Sequence, residues 1–109
     1  MRLTDLEPQF LKIEEPDTWK HVDDIVDCDG VLFVCPKCLN DTGKRPGCHS
    51  VLCWRPHVPL TQSPGPGRWD FEGTGYSDLS LVAGSSSVLL TGPGCGAHFF
   101  VRQGEIVMC

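Results

Sequence analysis

Cys35-Pro36-Lys37-Cys38 and Cys95-Gly96-Ala97-His98 carry the residue types and the spacing for metal chemistry. Two residues between donors let one tight turn aim both at a single ion, and two such turns complete a tetrahedron. The expected site is one closed structural zinc held by Cys35, Cys38, Cys95 and His98. Gly92, Gly94 and Gly96 leave room for a backbone turn close to the ion. Bringing the pairs together closes a loop of 56 residues. The length-dependent part of that closure costs about 3.6 kcal/mol. Zinc in small structural sites binds with ~10 to 16 kcal/mol, so the ion can dominate stability. The plainer alternative is a pair of ordinary thiols and a buried histidine.

Catalytic uses of the same cysteines demand more than the chain offers. Thioredoxin-like redox chemistry places Cys-x-x-Cys at a helix start inside a βαβ unit, whereas Leu39 to Gly43 reads as a loop. A nucleobase deaminase needs His-x-Glu and a proline directly before the first cysteine. The chain has His21-Val22-Asp23 instead, and Pro36 follows Cys35. Catalytic zinc keeps a coordination position open for water, and four protein ligands leave none. Cys28, Cys48, Cys53 and Cys109 show no second pair of that compact spacing, and Cys53 reads as a small buried hydrophobe.

The elements that must position these residues read as mainly β, a zinc-ribbon-like antiparallel domain with one short N-terminal helix. Asp17 is expected to cap that helix, which runs to about Val26, because Trp19, Val22, Ile25 and Val26 recur at helical spacing. Strands are expected at Phe10 to Ile13, Val31 to Val34, Ser50 to Trp54, Leu79 to Val82, Ser87 to Leu90, His98 to Val101 and Glu105 to Met108. The strand from Val31 delivers Cys35 at its end, and Gln103-Gly104 suits a hairpin turn. Asn40 to Gly47 reads as a loop, as does the proline-rich run of Pro56, Pro59, Pro64 and Pro66. The whole chain, 1–109, reads as a single zinc-stapled domain, with 1–27 an acidic arm and helix and 28–109 the β-rich core.

Composition sets the setting for this chemistry. A chain of 109 residues gains from a staple, and seven cysteines is a high count for that length. Met1 to Leu11 has no signal-peptide pattern, and no stretch reaches membrane-spanning length, so a reducing cytoplasm is expected. There, paired cysteines favour metal over disulfides. Residues 1–30 hold nine acids against three bases, a net −6 within a total of −5. Between Lys37 and Arg68 the balance reverses, with Lys37, Lys44, Arg45, Arg55 and Arg68 against Asp41. These residues are either a phosphate-binding patch beside the acidic arm or, preferred because the bases are few and dispersed, a solvated face.

A second constellation surrounds the proline-rich loop. Trp54 and Trp69 either wall a groove in which Arg55, Arg68 and His49 meet an acidic partner, or complete a thin core. The second option is preferred, since a small domain needs its large aromatics inside. His49, Ser50 and Asp78 are a candidate hydrolytic set that requires convergence in a cleft. His21 and His57 read as surface residues.

Several longer motifs carry a resemblance. Cys28-Asp29-Gly30-Val31-Leu32-Phe33-Val34-Cys35-Pro36-Lys37-Cys38, His49-Ser50-Val51-Leu52-Cys53-Trp54, Pro66-Gly67-Arg68-Trp69, Gly73 to Leu81 and Gly94 to Gly104 resemble a small uncharacterised family of phage and bacterial proteins, classed as a domain of unknown function. The resemblance spans residues 28 to 109 and implies a compact metal-binding β domain. Some phage members carry an ammonia-monooxygenase label, for which this chain offers no membrane segment or copper-type histidine cluster. The reading as a whole is a non-enzymatic binding or accessory module with one structural zinc, whose partner is protein. A nucleic-acid-binding zinc ribbon is its first rival and a small hydrolase its second.

Overall fold

The computed structural model describes residues 1–15, 18–37, 39, 50–59, 68–82, 87–89 and 98–108. They form an antiparallel β protein with two short 3-10 turns. The strands are β1 (Gln9–Glu15), β2 (Thr18–Val22), β3 (Gly30–Val34), β4 (Ser50–Trp54), β5 (Asp70–Glu72), β6 (Ser80–Val82), β7 (Ser87–Leu89), β8 (His98–Arg102) and β9 (Glu105–Met108). One sheet has the order β2-β1-β3-β4, a second pairs β5 with β6, and a third has the order β7-β8-β9.

Alternation decides which faces of these strands are buried. In β1, Phe10 joins the main core, while its neighbour Leu11 points the other way, to a smaller cluster with Trp54 and Val58. In β4, Val51 and Cys53 enter the main core and Trp54 enters the smaller cluster, so both faces of this strand are covered. The main core takes residues from all three sheets. Phe33 of β3 meets Phe99 of β8 edge-to-face with centroids 6.1 Å apart, and Phe10 stacks on Tyr76 at 4.2 Å. The Tyr76 hydroxyl then accepts the Phe10 N–H at 2.9 Å.

The N-terminal residues are part of this core. Leu3 and Leu6, in the 3-10 turn Leu3–Leu6, are fully buried. Leu3 N–H donates to the Gly104 carbonyl, and Ile106 N–H donates to the Met1 carbonyl, each at 2.8 Å. β8 and β9 are joined by Gln103 (φ 48°) and Gly104 (φ 77°). Two left-handed residues make the twist of a two-residue turn match that of its strands.

Two local expectations are corrected. The segment expected as a helix from Asp17 to about Val26 contains strand β2 and a 3-10 turn, Ile25–Asp27, capped by the Asp24 carboxylate on Val26 N–H at 2.9 Å. Helical spacing of Trp19, Val22, Ile25 and Val26 would aim one stripe inward, yet Val26 is 78% exposed. Pairing with β1 prevails over that weak periodicity, helped by the strand preference of Thr18, Trp19 and Val22. The second correction follows Cys35: Pro36, Lys37 and Leu39 are helical, and Leu39 N–H donates to the Cys35 carbonyl at 3.1 Å. Proline suits this first helical position because it has no N–H to leave unpaired. The redox reading still lacks its frame, since β3 pairs antiparallel with both neighbours and forms no βαβ unit.

Candidate metal centre and the clusters around it

Cys35 stands immediately after β3, fully buried in the main core. The Val31 to Val34 run carries it there, with Val31 and Phe33 anchoring the strand in the same core. His98 opens β8, where its backbone is in register with Leu89. Cys38 and Cys95 lie outside the described residues, and among the described residues no three metal-ligating side chains cluster.

The described backbone nevertheless relates the two ligand-bearing ends. Pro36, next to Cys35, lines a cavity of about 150 Å³ with Met1, Ile106 and Met108. Met108 is in register with Phe99, the residue after His98. The exit of β3 and the entrance of β8 therefore lie at one end of the molecule. Cys35 is also a thiol rather than a disulfide partner, as zinc ligation requires. The donor set of three sulfurs and one imidazole fits zinc chemically.

Cys28 and Cys53 are buried thiols of a different kind. The Cys28 S–H donates to the Ile25 carbonyl at 3.1 Å, and burial pushes its pKa up against the opposing pull of the Arg55 guanidinium. Complete burial raises Cys53 as well. Both thiols stay protonated and inert, as small core residues do. Cys48 and Cys109 lie outside the described residues.

Among the described residues the two tryptophans are core residues, in line with the preferred of the two readings. Trp54 is 2% and Trp69 8% exposed, and Trp69 N–H donates to the Trp54 carbonyl at 3.0 Å. Their area is used inside the protein. The two arginines bind backbone: Arg55 Nη2 donates to the Ile25 carbonyl at 2.6 Å, and its guanidinium lies 4.9 Å from the centre of the Phe71 ring. Arg68 Nε donates to the Val58 carbonyl at 2.9 Å, and desolvation holds its pKa below the ordinary value. Arg55 thus fastens the start of the proline-rich loop to the Ile25–Asp27 turn, and Arg68 ties the residues before β5 to that same start. His49, the fifth residue of that set, lies outside the described residues.

Ser50 and Asp78 do not converge. Ser50 opens β4 beside a cavity lined by Glu7, Gln9 and Leu32, whereas Asp78 lines a separate one with Glu72, Ser80 and Gln103. The Asp78 carboxylate accepts Thr74 N–H, Gly75 N–H and the Thr74 hydroxyl, each at 2.9 Å. Those bonds lower its pKa and make it the clasp of the Gly73-to-Asp78 turn.

An Asp29–His57 pair is the feature that sequence reasoning missed. Asp29 Oδ1 lies 2.8 Å from His57 Nε2, and Oδ2 accepts Ile13 N–H at 2.8 Å. The Asp29 backbone bonds both neighbours too: its N–H donates to the Leu11 carbonyl at 2.7 Å and its carbonyl accepts Arg55 N–H at 2.8 Å. Burial disfavours the Asp29 charge, but the Ile13 and His57 bonds and the field of Lys12 together outweigh it and hold the carboxyl below its usual range. Nothing local in Asp27 to Gly30 announces this role, because both partners come from other segments. Compared with protein-family models, curated proteins and solved structures, the chain matches none.

Proposed function

We propose that this chain is a zinc-stapled β module of the cytoplasm, related to phage and bacterial accessory proteins, that acts by binding another protein. Cys35, Cys38, Cys95 and His98 would hold one structural zinc and leave no position for substrate. The observation that carries the reading is the meeting of Pro36 and Met108 in one cavity, which puts the turn after β3 beside the start of β8. Buried inert thiols and a turn-clasping Asp78 favour a scaffold over an enzyme.

Elemental analysis of the purified chain should give about one zinc per molecule. Cys35→Ser and His98→Ala should each lower zinc retention and reduce the melting temperature by more than roughly 10 °C. Negligible zinc in the wild-type protein would reject the site, and unchanged zinc and melting in either variant would remove that ligand.

A further inference from the structure

We propose that the outer edge of β2 is a strand-addition site for a basic, extended segment of another protein. The inference rests on the reading of the chain as a protein-binding module and names the surface and the partner's chemistry.

Backbone orientation comes first. Asp29 N–H donates to the Leu11 carbonyl and Ile13 N–H to Asp29 Oδ2, so Leu11 and Ile13 turn their backbone groups toward β3. Successive residues of a strand face opposite sides, so Lys12 turns its groups toward β2, where its register partner is Lys20. On β2 the groups of Lys20 therefore face inward and those of Trp19 and His21 face out. Among the described residues β2 pairs with β1 alone, and Thr18, Trp19, Lys20 and His21 are all exposed. Such a row of outward N–H and C=O groups is a template for another strand.

Side chains specify the occupant. Trp19, 45% exposed, packs edge-on against Trp54 with centroids 5.8 Å apart and leaves its outer surface for an apolar residue of the partner. Glu14 pairs with Lys20 at 3.1 Å, and Asp23, fully exposed just after β2, lies 3.6 Å from His21 Nε2. With a net −6 over residues 1–30, the complementary strand is basic. A second copy fits poorly: self-pairing would bring two net-acidic molecules together, and in the register centred on Lys20 it would also set Lys20 against Lys20.

The test titrates the zinc-checked full chain, at physiological salt, with a seven-residue alternating Lys–Val peptide. The same peptide methylated on alternate backbone nitrogens serves as the comparison. The unmodified peptide should bind, and backbone methylation should weaken it about tenfold with its charge intact. His21→Pro removes an outward N–H without touching the β1 pairing and should weaken binding similarly. If that variant does not fold, Asp23→Lys, which should also weaken binding, replaces it. Absence of binding or equal binding of both peptides would overturn the edge, and wild-type self-association that His21→Pro abolishes would overturn the basic partner in favour of a second copy. Those results leave the module reading standing, which is decided separately by nucleic-acid affinity.

Discussion

Asp29 ties several segments together, because its two carboxylate oxygens and its two backbone groups reach β1, the residue after β4 and His57 at once. Asp29→Asn should therefore lower stability at neutral pH by about 1.5–3 kcal/mol, the scale of a hydrogen bond to a charged group. The sign of its pH dependence follows from the lowered folded pKa. The stabilisation is complete above the unfolded aspartate value of about 3.9 and is lost as pH falls through the folded value. Urea melts of both proteins at pH 7 and pH 2.5 should show a gap that closes in acid, and a gap independent of pH would show that the charge is immaterial. The contrast with Arg55 and Arg68 is instructive. Their charges and flanking tryptophans left a recognition groove as the less favoured reading of the sequence, and both guanidinium groups serve backbone carbonyls. Residue type and neighbourhood were readable; which way each side chain turns depends on segments distant in sequence.

At the scale of elements, β1, β3, β4, β6, β7, β8 and β9 were readable because their β-branched and aromatic residues are bounded by glycine, proline or acidic turns. β2 was not. A five-residue exposed edge strand buries too little to impose alternation, and its spacing therefore imitated a helix. The hairpin at Gln103-Gly104 was readable from turn chemistry alone, and its geometry makes a sharp demand. A β-carbon on Gly104 would collide with the Ser77 carbonyl oxygen while keeping a positive φ. Gly104→Ala should cost roughly 1–3 kcal/mol, measured by chemical denaturation. A neutral effect would mean that the turn and the Ser77 loop can separate without loss. Of the candidate zinc ligands, Cys35 and His98 fall at strand boundaries as their flanking patterns predict.

For the whole molecule, the decisive quantities are charge and connectivity. A chain of net −5 whose Arg55 and Arg68 are engaged with backbone offers little to a phosphate backbone. Titration with duplex DNA and single-stranded RNA at low salt should show no affinity, and binding that falls steeply with added salt would restore the nucleic-acid reading. The core that joins the three sheets was only partly visible in the sequence, because alternation marks which residues are buried but not which sheets meet, as Phe33 and Phe99 do. The backbone bonds from Met1 and Leu3 to Ile106 and Gly104 bear on how the protein is made. A ribosome delivers Met1 and Leu3 about a hundred residues before their partners, so Leu3 and Leu6 wait without their final cover while the intervening chain is made. During that interval the nascent chain is a natural client for chaperones that shield exposed apolar segments.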